Sequence, residues 1–154
     1  MQRALVVVDD TDAHRKLLQE AAEFTKNTDS ELVLFSWLTP ERVEENFDAL
    51  ESIERMEGTT YSEPDALDAA RTFAREFANE TLGHAEGTVE YEIATRIVDD
   101  DDVGTAILDT ADEKGCDHVF IAGRKRSPTG KVLFGDTTQQ VILNFDGPVT
   151  TMMN

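Results

Sequence analysis

The sequence predicts an α/β protein: an open, Rossmann-like, five-stranded parallel sheet with helices on both faces, in one domain over residues 1–154. Three observations predict it. Short apolar runs rich in β-branched residues alternate five times with segments of helical periodicity, the pattern of a parallel sheet with crossover helices. A length of 154 residues suits one domain with a proper core. Finally, residues 116–140 (CDHVFIAGRKRSPTGKVLFGDTTQQ) read as strand, glycine-bearing loop and helix start. In that arrangement main-chain N–H groups and a helix dipole converge on a phosphate.

Residues 3–9 (RALVVVD) predict a buried first strand, and Asp10, Thr11 and Asp12 supply the turn and cap of a helix reaching about Asn27. Ala13, Leu17, Ala21 and Phe24 give that helix its apolar face. Residues 31–38, apolar nearly throughout, form the second strand. Thr39-Pro40 opens a further helix as N-cap and first helical residue, with Val43, Phe47, Leu50 and Ile53 inward, ending near Gly58. Residues 39–63 are the one excursion from simple alternation. The next helix spans about 64–82, with Ala66, Ala70, Phe73 and Phe77 inward and Gly83 as its stop.

The third strand covers about 87–97. The run Asp99 to Asp102 caps a helix whose core side is Val103, Ile107 and Ala111, and Gly115 ends it. The fourth strand is 117–122. The last helix, about 137–145, presents Val141, Ile142 and Phe145. Asp146-Gly147-Pro148 then turns the chain into a final strand, 149–153.

Thirty-two acidic residues face fourteen basic ones, for a net charge of −18, and five of the bases are lysine. Such a surface repels nucleic acid and anionic membranes. Because the acids are spread through periodic segments, it points to a salty cytoplasm rather than to disorder. No apolar run approaches the roughly 18 residues of a membrane span, and the MQRALVVVDD start is strand-like rather than a signal peptide. The single cysteine, Cys116, rules out an internal disulfide, fits a cytoplasmic chain and reads as a small packed residue rather than a reactive thiol. Against this acidity, Arg124, Lys125, Arg126 and Lys131 put four cations into eight residues. Even spacing of the fourteen over 154 residues would put about 0.7 there (14/154 × 8).

The VVVDDT start, the DDDVGTAILDTADEKGCDHVFIAGRKRS block, the glycine loop and the GPVTTM ending together resemble the universal stress protein (UspA-like) family over nearly the whole length. The resemblance implies the strand order 3-2-1-4-5, a homodimer paired through residues 149–153 and, in one subclass, ATP binding, with Mg²⁺. The family's loop has Gly, two residues, Gly, nine residues, Gly, then Ser or Thr. Gly123 matches the first glycine and Gly135 the last. Arg126 stands in the second glycine's place, Gly130 falls elsewhere, the loop is one residue shorter, and Asp136 replaces the Ser/Thr, with Thr137 following.

The candidate nucleotide site is therefore Asp9, Asp10, Thr11, Trp37, Leu38, Gly123, Arg124, Lys125, Arg126, Gly130, Gly135, Asp136 and Thr137. Each has a plainer reading beside the functional one. Resemblance assigns Asp9 to the adenine or ribose side, and it equally suits a turn and helix cap. Trp37 stands where the family lines adenine and could stack on a base, but packing under the helix at 40–57 ranks ahead of that role. Asp136 is an N-cap or a carboxylate that holds Mg²⁺ against phosphates. The loop cations hold phosphate or pair with surface carboxylates. Asp99 to Asp102 are a solvated turn and cap before they are a metal site, His118 is packed before it is catalytic, and His14, His84 and His118 share no metal-ligand spacing. The expected protein is a dimeric stress-response module, with an enzyme or a nucleotide-free, protein-binding regulator as alternatives.

Overall fold

The computed structural model describes residues 3–28, 30–41, 63–83, 90–123 and 135–152. Its strands are β1 (Arg3–Val7), β2 (Glu31–Leu38), β3 (Tyr91–Ile97), β4 (His118–Ala122) and β5 (Val149–Met152). The helices are α1 (Asp12–Thr28), α2 (Glu63–Leu82), α3 (Val103–Glu113) and α4 (Asp136–Asn144), with a 3₁₀ turn at Asp100–Asp102. All pairings are parallel and the strand order is β3-β2-β1-β4-β5. The predicted helix at 40–57 lies outside the described residues, apart from Pro40 and Glu41.

Strand β1 shows why its apolar run is unbroken. Side chains alternate across a strand. Ala4, Val6 and Val8 therefore enter one core with Leu17, Leu18 and Ala21 of α1 and Ala74, Phe77 and Ala78 of α2. Leu5 and Val7 enter a second core on the opposite face, with Val103, Ala106, Ile107 and Ala111 of α3 and Val141 of α4. A strand covered on both faces has no polar side to show. The helices are thus divided between the faces, α1 and α2 on one and α3 and α4 on the other.

Several boundaries and faces differ from expectation. The first strand ends at Val7, not Asp9, although Val8 is buried and its N–H still bonds Phe35 O at 2.9 Å. Phe73, expected inward, is 36% exposed and leans on Phe77 with ring centroids 5.9 Å apart. The buried line of α2 runs through Ala70, Ala74, Phe77 and Ala78, and Phe73 lies at its margin because successive residues turn about 100° around the axis. Ile142 is exposed for a similar reason: Thr138 and Val141 form α4's buried line, and Ile142 lies about 100° beyond Val141. Asp136 is the first helical residue of α4 and Gly135 its N-cap, so Asp136 is not the cap. The Asp99–Asp102 run makes a 3₁₀ turn, and neither Asp99 nor Asp102 forms a side-chain cap bond. Gly115 does end α3, with φ of +67°, a conformation that costs glycine little and other residues more. Cys116 is half-buried, not fully buried. Burial first, and Asp117 and Glu92 after it, push its thiol up to about 11 against the opposing pull of Arg3 and Lys114, so it is no thiolate nucleophile.

Candidate functional site

Order β3-β2-β1-β4-β5 reverses direction between β1 and β4. In such sheets the carboxyl ends at that point diverge and leave a crevice. A cleft of about 650 Å³ lies there. Its floor is made by the ends of three strands: Val7 of β1, Trp37 of β2, and Ile121 and Ala122 of β4, followed by Gly123. Trp37 stacks on the buried Phe35 with ring centroids 6.2 Å apart and planes 23° from parallel, so its ring is a fixed apolar surface at the cleft.

The cleft wall comes from helix beginnings. Gly135, Asp136, Thr137, Thr138 and Gln140 of the α4 start line it. Thr138 Oγ1 donates to Ala122 O at 3.2 Å, which pins the first turn of α4 to the end of β4. Gly135 offers no side-chain cap, so the first N–H groups of α4 have no acceptor within their own helix and suit an anion. Gln140 Nε2 donates to Thr105 Oγ1 at 2.9 Å and ties α4 to the first turn of α3. That close approach requires a glycine. A Cβ on Gly104 would stand 2.7 Å from Gln140 Cδ and 3.3 Å from its Cβ.

Electrostatically the described wall is acidic. Carboxylates of Asp100, Asp101 and Asp136 line it, together with the imidazole of His14 from the first turn of α1. Burial holds the His14 pKa below its usual 6.5, against the opposing pull of the Asp9 carboxylate, so the ring is neutral near pH 7. Among the described residues no three His, Cys, Asp or Glu side chains converge as a metal site.

Of the sequence-predicted residues, Trp37, Gly123, Gly135, Asp136 and Thr137 line the cleft. Four others stand outside that lining, with partners in the described structure. Asp9 Oδ1 accepts the N–H of Asp10 at 2.8 Å, and Asp10 pairs with Arg15 at 2.5 Å. Thr11 caps α1, its Oγ1 accepting the His14 N–H at 3.1 Å. The Leu38 carbonyl accepts the N–H of Val98 at 2.9 Å. Arg124, Lys125, Arg126 and Gly130 lie outside the described residues, as does Lys131. Sequence reasoning does not single out His14, Thr138 or Gln140. The signal for His14 was its place three residues after the capping Thr11, which brings it over the end of β1. Asp100 and Asp101, expected as a solvated turn, reach the cleft edge.

The family model of the universal stress protein family matches residues 1–152. No curated protein matches the sequence. A universal stress protein from Archaeoglobus fulgidus superposes with a TM-score of 0.66 at 22% identity, covering 99% of this chain and 98% of its own. A universal stress protein from Archaeoglobus fulgidus in complex with dAMP gives 0.62 at 18% identity, covering 99% and 98%. A universal stress protein in complex with cAMP gives 0.59 at 14% identity, covering 99% and 96%. At such identities these structures attest the fold. The family match, running from the first residue to Met152, attests more: this chain belongs to the universal stress protein family.

Proposed function

We propose that the protein is a homodimeric stress-response module of a salty cytoplasm whose cleft binds an adenine nucleotide. One observation carries this reading: Gly123 and Gly135, the two ends of the glycine loop, both line the crevice between β1 and β4. The loop between them therefore starts and finishes at the cleft. Trp37 supplies a flat surface for a base, and the uncapped start of α4 supplies N–H groups for phosphate. The dAMP and cAMP complexes of two proteins of the same fold support the choice of an adenine ligand. ATP would come with Mg²⁺: the Asp136, Asp100 and Asp101 carboxylates of the wall are the residues that would hold the ion, which would offset the phosphate charge.

A second reading, a protein-binding regulator that holds no nucleotide, is favoured by Arg126 and Asp136 at the loop positions where the subclass pattern has Gly and Ser or Thr. A carboxylate in the first turn of α4 competes with a phosphate for the same N–H groups. Hydrolysis of ATP ranks below both. The described cleft offers His14 as a base, and no side chain there is a nucleophile paired to it.

One experiment separates these readings. The protein is purified in high salt and denatured, and the supernatant is read by absorbance and chromatography, alongside calorimetric titration with ATP–Mg²⁺ to millimolar concentration. Released adenine nucleotide or a saturable titration is the expected result. An empty protein with no heat of binding leaves the regulator reading.

A further inference from the structure

The first turn of α1 holds a ring whose two nitrogens have been given different tasks. Thr11 Oγ1 accepts the main-chain N–H of His14 at 3.1 Å and lies 2.6 Å from His14 Nδ1. One cap residue thus fixes both the backbone and the ring. With Nδ1 held, Nε2 is the nitrogen left for other work. Among the described residues it has no hydrogen-bond partner, while the ring lines the cleft. In the neutral ring the Thr11 hydroxyl either donates to Nδ1 or accepts from Nδ1–H, according to the tautomer. In the imidazolium it accepts from Nδ1–H, and Nε2 carries the second proton into the cleft.

Resting on the nucleotide reading above, we propose that His14 is a specificity-determining residue of the cleft: its Nε2–H donates to a phosphate oxygen of the ligand, and the cleft takes up a proton as it fills. The charges around the ring explain why the proton arrives with the ligand. Asp9 from the β1–α1 turn favours the imidazolium, and Asp100 and Asp101 from the 3₁₀ turn and Asp136 from α4 are the acids that line the same cleft. Asp10 and Asp12 are engaged by Arg15 at 2.5 and 3.2 Å. Burial outweighs Asp9, and the ring stands in the first turn of a helix, where the dipole also disfavours a cation. A phosphate oxygen on Nε2 brings the missing counter-charge to the ring. By linkage, ligand affinity then rises as pH falls from the bound-state pKa towards the free-state pKa, and levels off below it.

The test follows the His14 Cε1–H resonance by NMR from about pH 5 to 8 in high salt, assigned by its absence in His14→Gln. The probes are AMP, ATP–Mg²⁺, adenosine and pyrophosphate. The phosphorylated probes are expected to raise the His14 pKa by about 1, which makes affinity about tenfold higher at the acid end. Adenosine is expected to leave it in place. Gln keeps a donor but no titrating ring, so His14→Gln is expected to lose the rise in affinity towards acid pH. If AMP binds while the His14 pKa stays still, or if His14→Gln keeps the wild-type pH profile, the inference is overturned and the nucleotide reading stands. If no adenine compound binds yet pyrophosphate moves His14, the nucleotide reading falls and His14 remains an anion reader. If no probe binds and none moves the ring, both fall.

Discussion

His118 projects from β4 between two phenylalanines. Its ring stacks on Phe120 at 4.4 Å, tilts on Phe24 at 4.8 Å, and bonds Thr150 Oγ1 of β5 through Nε2 at 2.8 Å. It is packed, and among the described residues it has no partner of a catalytic kind. Burial lowers its pKa below the ordinary 6.5 despite the nearby Asp117. The sign of the consequence follows. Above 6.5 the ring is neutral folded and unfolded, and stability is unaffected. As pH falls through 6.5 the unfolded chain takes the proton first, so stability drops until the folded ring titrates as well. The unfolding midpoint in high salt is therefore expected to fall from pH 7.5 to 5.5, and His118→Phe to show a shallower fall; parallel slopes would acquit His118. Gly104 makes a different kind of demand. Gly104→Ala gains helix propensity of up to about 1 kcal/mol and loses the Gln140–Thr105 bond, about 0.5–1.5 kcal/mol. Unfolding free energy should stay within about 1 kcal/mol of wild type on those terms, while the Gln140 side-chain amide resonances shift as the carboxamide swings away. A large loss of stability would mean that α3 and α4 cannot part.

Burial separates the helices' apolar residues sharply. Ile107 of α3 is fully buried and Leu143 of α4 is 72% exposed. Ile107→Ala is expected to cost about 2–5 kcal/mol in denaturant unfolding, and Leu143→Ala less than about 0.5 kcal/mol. This contrast also marks how far the fold is legible in sequence. Strands buried on both faces and long helices such as α1 announce themselves by unbroken or 3.6-residue apolar patterns. A helix of nine residues such as α4 carries too few turns to show which of Val141 and Ile142 is inside, and α2's alanine-led stripe hides beside its own phenylalanines. The cleft is legible at its strand ends and glycines, where local sequence fixes backbone. His14 and Gln140 become site residues only through tertiary placement, by the Thr11 cap and by the glycine at 104. At the sheet's edge, β5 pairs with β4 alone among the described strands. Pro148 and Met152 turn their carbonyls to β4, and in a parallel strand alternate residues face alternate sides. Val149 and Thr151 therefore face the open edge, the one proposed to pair with a second copy. Thr151→Pro removes an outward N–H without touching the β4 ladder. Light scattering should show a dimer become a monomer of unchanged circular dichroism; a persisting dimer would place the interface elsewhere.

Charge acts on the chain as a sum. Eighteen acids are in excess, and ion pairs are seen along the α3 end of the sheet: Arg3 with Glu31 at 3.2 Å, Lys114 with Glu92 at 3.5 Å, and Arg96 with Glu113. Salt weakens both the repulsion and the attraction, so the direction of its effect reveals which is larger. The pairs have part-exposed side chains, and such pairs contribute about 0–1 kcal/mol each. The repulsion is spread over the whole acidic surface and reaches across about 10 Å at 0.1 M salt, shrinking to about 3 Å at 1 M. Long-range repulsion should therefore lose more than short-range pairing on moving between those concentrations. The thermal midpoint is expected to climb by several degrees from about 0.1 to 2 M KCl, most of it below about 1 M, where screening is still changing. Glu113→Gln should narrow that climb slightly by removing one acid while costing little in its exposed pair. A midpoint that falls with KCl would make the ion pairs the dominant electrostatic contribution, and the acidic surface would then need an origin other than a salty cytoplasm.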